Sequence, residues 1–410
     1  MALLYFFREP ETLWECVNFV CGLQFGMCCN GFFQQGKYFV VNKWTRLYSL
    51  GLSCAVLTGM CGSIYGLLRD NDLRAFLYKT DKLVLSIVFL ELVMSIFVYV
   101  VTVASMQSTA HQHLRIYNRL AALDDQLMQE FGANLNYRKL KRKNIMVLAT
   151  VTVLYVSAVN SVVGRIAGDG NKALVACGGI CYIIITGGPH FTGYIHMNIA
   201  EMLGIRFRLL QKIINPQFFR WRFVKVQLRE QRLRSAMEMV KELHYLITEV
   251  NKVYKLSLWT AIAHDFTLTT SELYIIFGRA DMDGGMNSLL IAYVATSMLP
   301  PFYKMLVAPV YCDRTIRDGR KCLRLLEMLD IWFPGSPVVK QMVTAMLHWR
   351  LEFQIEFSSG LGVSLNKKTI TLFTTMVFNY LLILIQFSMT QKLSHGVVQQ
   401  RVTQQDWTGI

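Results

Sequence analysis

The stretch from Thr369 to Met389 has 21 residues and carries no charge. At 1.5 Å per residue that is enough helix to cross a bilayer. Six further apolar runs of comparable length precede it, at about 46–68, 83–106, 144–166, 173–198, 257–278 and 287–310. Inside hydrocarbon each backbone N–H and C=O must be satisfied within the segment, so such runs are confined to helices. The fold class that follows is all-α: a polytopic membrane protein with seven transmembrane helices, extended into a cytosolic base. A hydrophobic fraction of 53% against 17% charged residues agrees with it.

The last run is not uniformly apolar. At 100° per residue Thr371, Thr375, Asn379, Gln386 and Thr390 fall within roughly a 100° sector, and Tyr380, Phe387 and Phe373 lie on another face. Amide groups left bare in hydrocarbon cost several kcal/mol, so the stripe needs a partner, either a neighbouring helix or water in a pore.

The formal charge of +15 is an orientation signal and not a nucleic-acid footprint. Of the 42 Lys and Arg, 31 fall in the N-terminal stretch and the second, fourth and sixth loops, 8 in the other loops and the tail, and Arg46, Lys82 and Lys304 at boundaries. By the positive-inside rule the N-terminus is cytosolic and the C-terminus extracellular. The expected organisation is a cytosolic N-terminal segment (1–45) with a membrane-surface helix over Cys16–Phe33, and a six-helix bundle with long helical cytosolic loops (46–310). A cytosolic anchor segment (311–368), the last helix (369–389) and an extracellular tail (390–410) complete it. Within the anchor, Phe333-Pro334-Gly335-Ser336-Pro337 reads as a turn, and Val338–Phe357 as the cytosolic half of the last helix. The apolar start M-A-L-L-Y-F-F is too short for a signal peptide.

The outer loops, Arg69–Asp81, Ala167–Lys172 and Arg279–Met286, are too short to enclose a ligand, so a pocket must lie among the helices. Ionisable residues inside spans mark where. Glu91 sits in the second span; His264, Asp265 and Glu272 share a side of the fifth; His190 and His196 follow Gly187-Gly188-Pro189, which should kink the fourth. Lys304 lies where it can snorkel to the cytosolic interface. Singly these read as structural pairs; together they outline a ligand cavity near spans four and five. The ten cysteines show no metal or disulfide spacing, no cofactor motif appears, and no catalytic constellation is present. The absence of an internal repeat counts against a transporter.

Within the last span, Asn379-Tyr380-Leu381-Leu382-Ile383-Leu384-Ile385-Gln386-Phe387 resembles the Thr-Tyr, five hydrophobics, Gln-Phe signature of insect gustatory receptors, departing from it at Asn379. The resemblance implies a ligand-gated, non-selective cation channel, a homotetramer or a heteromer with related receptors, with one pocket per subunit in the outer half of the bundle. It places Gln386 and Phe387 at the gate, Thr375, Asn379 and Ile383 along the pore, and Tyr380 in helix packing. His190, His264, Asp265, Glu272 and Glu91 become candidate ligand contacts. The partners implied are a small-molecule tastant (a bitter compound or contact pheromone sooner than a sugar) and the plasma membrane of chemosensory neurons, with no nucleic acid. The alternative is a seven-helix G-protein-coupled chemoreceptor, which would place its N-terminus outside, against the charge count.

Overall fold

The computed structural model describes residues 10, 12–35, 38–69, 82–166, 172–280, 288–352, 356–360 and 363–407. In chain order the elements are α1 (Leu13–Gly26), a β1–β2 hairpin (Phe33–Gln35 and Tyr38–Val40), α2 (Lys43–Arg69), α3 (Lys82–Ser108), α4 (Ala110–Phe131), α5 (Tyr137–Ile166) and α6 (Lys172–Ile214). They continue with α7 (Pro216–Arg222), α8 (Val226–Ala280), α9 (Ser288–Glu327), α10 (Leu329–Trp332), α11 (Pro337–Glu352) and α12 (Lys367–Trp407). Each expected span lies inside one long helix: α2, α3, α5, α6, α8, α9 and α12. Among the described residues four of these are long and apolar enough to cross a membrane on length and composition alone, over Lys43–Gly66, Leu85–Ser108, Lys172–Ile214 and Lys367–Phe387. The expected outer loops fall almost entirely outside the described residues.

The bundle is built around α6, which packs on α2, α3, α5, α8 and, most extensively, α9. Small residues permit that closeness. A Cβ on Gly193 would lie 2.5 Å from Lys304 Cδ, and one on Gly204 would lie 2.6 Å from Thr315 Oγ1, so α9 crosses α6 where α6 has no side chain. Thr315 Oγ1 donates to the Ala200 carbonyl at 2.8 Å in the same contact. The Gly187-Gly188-Pro189 stretch, expected to kink this helix, does not end it: α6 is helical straight through Pro189. The two glycines instead admit the N-terminal segment, since a Cβ on Gly188 would lie 2.6 Å from Cys29 Sγ and one on Gly187 3.3 Å from Met27.

A large apolar core fills the base. The stripe Ile116, Leu120, Leu123, Leu127 and Phe131 of α4 is buried in one cluster with Phe207 and Leu210 of α6, Leu243, Leu246 and Val250 of α8 and Leu323 of α9. Helix α4 ends at Gly132, at φ 59, where the N–H of Gly132 bonds Met128 O and that of Ala133 bonds Leu127 O. That left-handed cap is a position glycine occupies without strain. Arg206 of α6 is buried in this base and forks onto Asp124 of α4, Nε to Oδ1 at 2.8 Å and Nη2 to Oδ2 at 2.5 Å, with Nη1 donating to Met202 O. Tyr137 donates to the same carboxylate.

Three expectations need correction. Helix α1 has 14 residues and turns Leu13, Cys16, Val17 and Val20 inward, where it packs on α5 and α6, so its apolar face is taken by protein and not left to lipid. The stretch Val338–Phe357 is not the first half of the last helix: α11 spans Pro337–Glu352, and the described residues between it and α12, 356–360 and 363–366, are not helical, with a Ser358–Ser364 antiparallel bridge and Gly360 at φ 85. Asn366 then starts α12 by accepting the Lys368 N–H at 2.9 Å. Serine and asparagine compete with helical bonding, and here they win. Finally, α12 runs past Met389 to Trp407, so the segment drawn as a tail is largely helical.

Candidate functional site

Polar side chains from four helices meet in the membrane part of the bundle. Asp265 of α8 is 0% exposed, and Lys304 of α9 reaches it with Nζ 2.7 Å from Oδ2. His190 of α6 and His264 of α8 each hold Nδ1 3.8 Å from Asp265 Oδ1. Their rings are 6.1 Å apart, and Lys304 Nζ is 3.5 Å from His190 Nδ1. His264 Nε2 is 2.8 Å from Ser95 Oγ on α3. One turn before Ser95, Glu91 is buried and accepts a hydrogen bond from Tyr182 OH of α6 at 3.1 Å. Glu272 is buried on α8 eight residues beyond His264, roughly 12 Å along the helix.

A charge in a low-dielectric interior is tolerated when an opposite charge sits at hydrogen-bonding distance, and the Lys304–Asp265 pair meets that condition. Lys304 is therefore not a snorkelling residue: it is 8% exposed and turned into the bundle. Of the sequence candidates, His190, His264 and Asp265 share one cluster and Glu91 stands beside it through Ser95's helix. His196, two turns below His190, goes elsewhere, between Tyr254 and Phe357 at ring distances of 5.3 and 5.8 Å. Sequence reading missed Lys304 as the partner, and with it Ser95 and Tyr182. An opposite charge in a neighbouring apolar run was the available signal for Lys304; nothing marked the other two.

Against this cluster lies a cavity of about 60 Å³ between α5, α6 and α9. Its walls include Met27, Leu148, Val151, Ile183, Phe191, Pro300 and Tyr303, with His190 and Lys304 among its few polar members.

Helix α12 stands at the edge of the subunit against α8 and α9, and only 6% of its apolar window is buried. Its contact side carries Phe373 and Tyr380, whose rings are 6.4 and 5.6 Å from Phe266. The polar stripe points the other way: Thr371, Thr375, Asn379, Gln386 and Thr390 are all exposed, as are Ile383 and Phe387 at 58% and 60%. Phe266 follows Asp265 directly, so α8 presents one residue to the buried ion pair and the next to α12.

Comparison with known proteins bears on this arrangement. A family profile described as 7tm chemosensory receptor matches residues 15–391. The chain is 51% identical over 417 residues to a Drosophila melanogaster protein named gustatory receptor 57a, covering all of both chains. A second Drosophila melanogaster protein, named gustatory receptor 47b, is 22% identical over 357 residues, covering 86% of this chain and 84% of its own. Among solved structures, the insect olfactory receptor OR5 of Machilis hrabei superposes with a TM-score of 0.66 at 10% identity, over 90% of this chain and 97% of that one. The same receptor in complex with eugenol gives 0.63 over the same shares.

Proposed function

The chain belongs to the 7tm chemosensory receptor family, as an insect gustatory receptor and multi-pass membrane protein, and from that premise we propose that it is a ligand-gated, non-selective cation channel of chemosensory neurons. One observation carries the reading. The polar stripe of α12 is left uncovered by its own subunit, on the side away from the Phe373 and Tyr380 contact with α8. The amides of Asn379 and Gln386 do not face hydrocarbon, and among the described residues no helix of the same subunit covers the stripe, so it faces water or other copies. Four copies arranged by rotation turn each stripe position into a ring around an axial pore. Gln386 then forms a polar ring and Phe387, with Ile383, the hydrophobic constriction. The N-terminus is cytosolic and the C-terminus extracellular, as the basic loops dictate.

The ligand is a small tastant held between helices at the cavity beside Lys304 and His190, which on the expected topology lies towards the cytosolic side and not in the outer half that the resemblance implies. Apolar walls of this kind suit a bitter compound or a contact pheromone and leave a sugar's hydroxyls without partners. The opening equilibrium shifts because the ligand binds one arrangement of α5, α6 and α9 better than the other; the Lys304–Asp265 pair links α9 to α8, and Phe266 passes that arrangement to Tyr380. Cysteine scanning of α12 with a water-soluble thiol reagent, during current recording, tests the reading. Modification recurring at Thr375, Asn379 and Gln386 is expected; an inaccessible stripe refutes it. A G-protein-coupled mode has no specific observation in its favour.

A further inference from the structure

Among the described residues, the wall of the cavity between α5, α6 and α9 has one contributor from outside those helices, Met27 of the N-terminal segment. Its place is fixed by the chain on both sides. Helix α1 ends at Gly26 and Cys28 takes φ 63, a left-handed conformation uncommon for a residue with a Cβ. The Cys28 N–H bonds Phe25 O and the Cys29 N–H bonds Gln24 O, both at 3.0 Å. Beyond this turn the backbone is pinned between membrane helices. Gln107 of α3 and Ser49 of α2 donate to Asn30 O at 3.1 and 3.2 Å, and Thr45 of α2 donates to Gly31 O at 3.3 Å. Before it, Gln24 donates to Thr192 Oγ1 of α6 at 3.3 Å. Met27 itself rests on the bare backbone of Gly187, where a Cβ would lie 3.3 Å from both its Sδ and its Cε.

The wall that Met27 completes presents almost wholly carbon. Polar groups of its residues are engaged elsewhere: Tyr194 donates to Asn144 Oδ1 at 2.9 Å, and Lys304 is held on Asp265. Tyr303 lays its ring against that of Tyr194, with centroids 6.5 Å apart. We infer that the N-terminal segment is a functional wall of this cavity, and that Met27 sets the length of the apolar molecule that fits. The inference rests on the reading of this cavity as the tastant site. A molecule already dissolved in lipid gains little by leaving it for an equally apolar slot, so contact shape decides whether it binds. Val151 and Ile183 are carried on long helices packed against one another. Met27 instead follows a helix end and has an unbranched side chain with three rotatable bonds, so it is the adjustable part of the wall.

The test uses full-length protein in lipid nanodiscs and the apolar photoreactive probe 3-trifluoromethyl-3-phenyldiazirine, with adducts mapped by mass spectrometry. Labelling of Val151 and Ile183 is expected to saturate. Alkylbenzenes from toluene to octylbenzene, compared at equal concentration in the lipid, should displace it up to a limiting chain length. Labelling of exposed Val153 should not saturate, which separates the cavity from the lipid-facing surface. Met27→Ala is expected to raise the limit and to improve displacement by the first alkylbenzene beyond it roughly tenfold, since the larger space relieves overpacking. Met27→Trp should lower the limit; if that variant fails to fold, Met27→Ala decides alone. A residue with a merely structural role would weaken displacement at every length and move no limit, and that result overturns the inference. So does labelling of Val151 and Ile183 that never saturates, or one limit shared by the unaltered chain and Met27→Ala. Currents evoked by tastants in those cases leave the channel reading standing. A limit that follows Met27, in a channel whose currents ignore what fills the cavity, would keep this inference and fail the cavity as the tastant site.

Discussion

Single residues of the base show how much stability rests on buried polarity. Arg206 and Asp124 are a forked pair held with Tyr137 in a packed core, so removing one partner strands the other. Arg206→Ala is expected to destabilise by roughly 3–5 kcal/mol, read as lost thermal stability and lost surface expression. Arg206→Lys should recover part of it, since an ammonium cannot reproduce the fork. Histidines of the base give the molecule a pH dependence. Burial holds His244 down to about 4 and His113 to about 3, against an ordinary value of 6.5. His113 sits 2.7 Å from Tyr254 OH and His244 Nδ1 2.6 Å from Val240 O. Each is neutral when folded and takes up a proton more readily when unfolded. Stability from both is thus full above pH 6.5 and is lost as pH falls towards 4 and then 3. Unfolding temperature measured from pH 7.5 down to 4.5 should fall, and His244→Gln should flatten the fall. At this scale the sequence was legible for charge and silent on partners. Asp265, His264 and His190 stood out because ionisable groups are rare in apolar runs. Their grouping with Lys304 needed the crossing of α6 and α9 at Gly193, which no spacing within one helix encodes.

Among the elements, the seven membrane helices could be read because each is a long apolar run whose backbone has one solution in hydrocarbon. What the runs could not give was their continuation. Outside the membrane both helix and turn are open to the chain, and Ser358, Ser359, Gly360 and Asn366 decided for a break between α11 and α12 where a continuous helix was expected. Pro189 is buried within α6, which stays helical across it despite the missing N–H. In the proposed gating the key element is α8, which carries Asp265 to Lys304 and Phe266 to α12. Phe266→Ala removes the ring contacts at 5.6 and 6.4 Å with Tyr380 and Phe373. Deletion of such a half-buried ring should weaken the hold of α8 on α12 while leaving the cavity walls intact. The expected outcome is unchanged ligand-induced thermal stabilisation with a current response reduced severalfold. A parallel loss of both measurements would assign Phe266 to folding and not to transmission.

For the whole molecule, the decisive feature is that α12, the least buried of the four helices that are long and apolar enough to cross a membrane among the described residues, also carries a continuous polar stripe. A single subunit leaves that helix in an untenable setting: half of its surroundings would be lipid facing Asn379 and Gln386. Assembly around a shared axis resolves this for every copy at once, which makes the pore and the oligomer one prediction. Disulfide cross-linking between single cysteines at Thr375 or Asn379 should give dimeric products from separate chains, while cysteines at Phe373, on the contact side, should not. Within the ring, Gln386 and Phe387 sit 100° apart on the helix, so they serve different ends. An amide facing water can exchange hydrogen bonds with a hydrated cation, and Gln386→Ala is expected to change conductance or ion preference with little effect on ligand potency. A phenyl ring at the flank of the pore excludes water when four of them approach, since narrow apolar constrictions dewet. Phe387→Ala widens that constriction and should produce current without ligand. If the stripe instead glued helices together, both substitutions would lower the amount of folded protein by roughly 1–2 kcal/mol of stability each and leave permeation normal in the channels that remain. Recording unitary currents and surface abundance of the same two variants separates the cases.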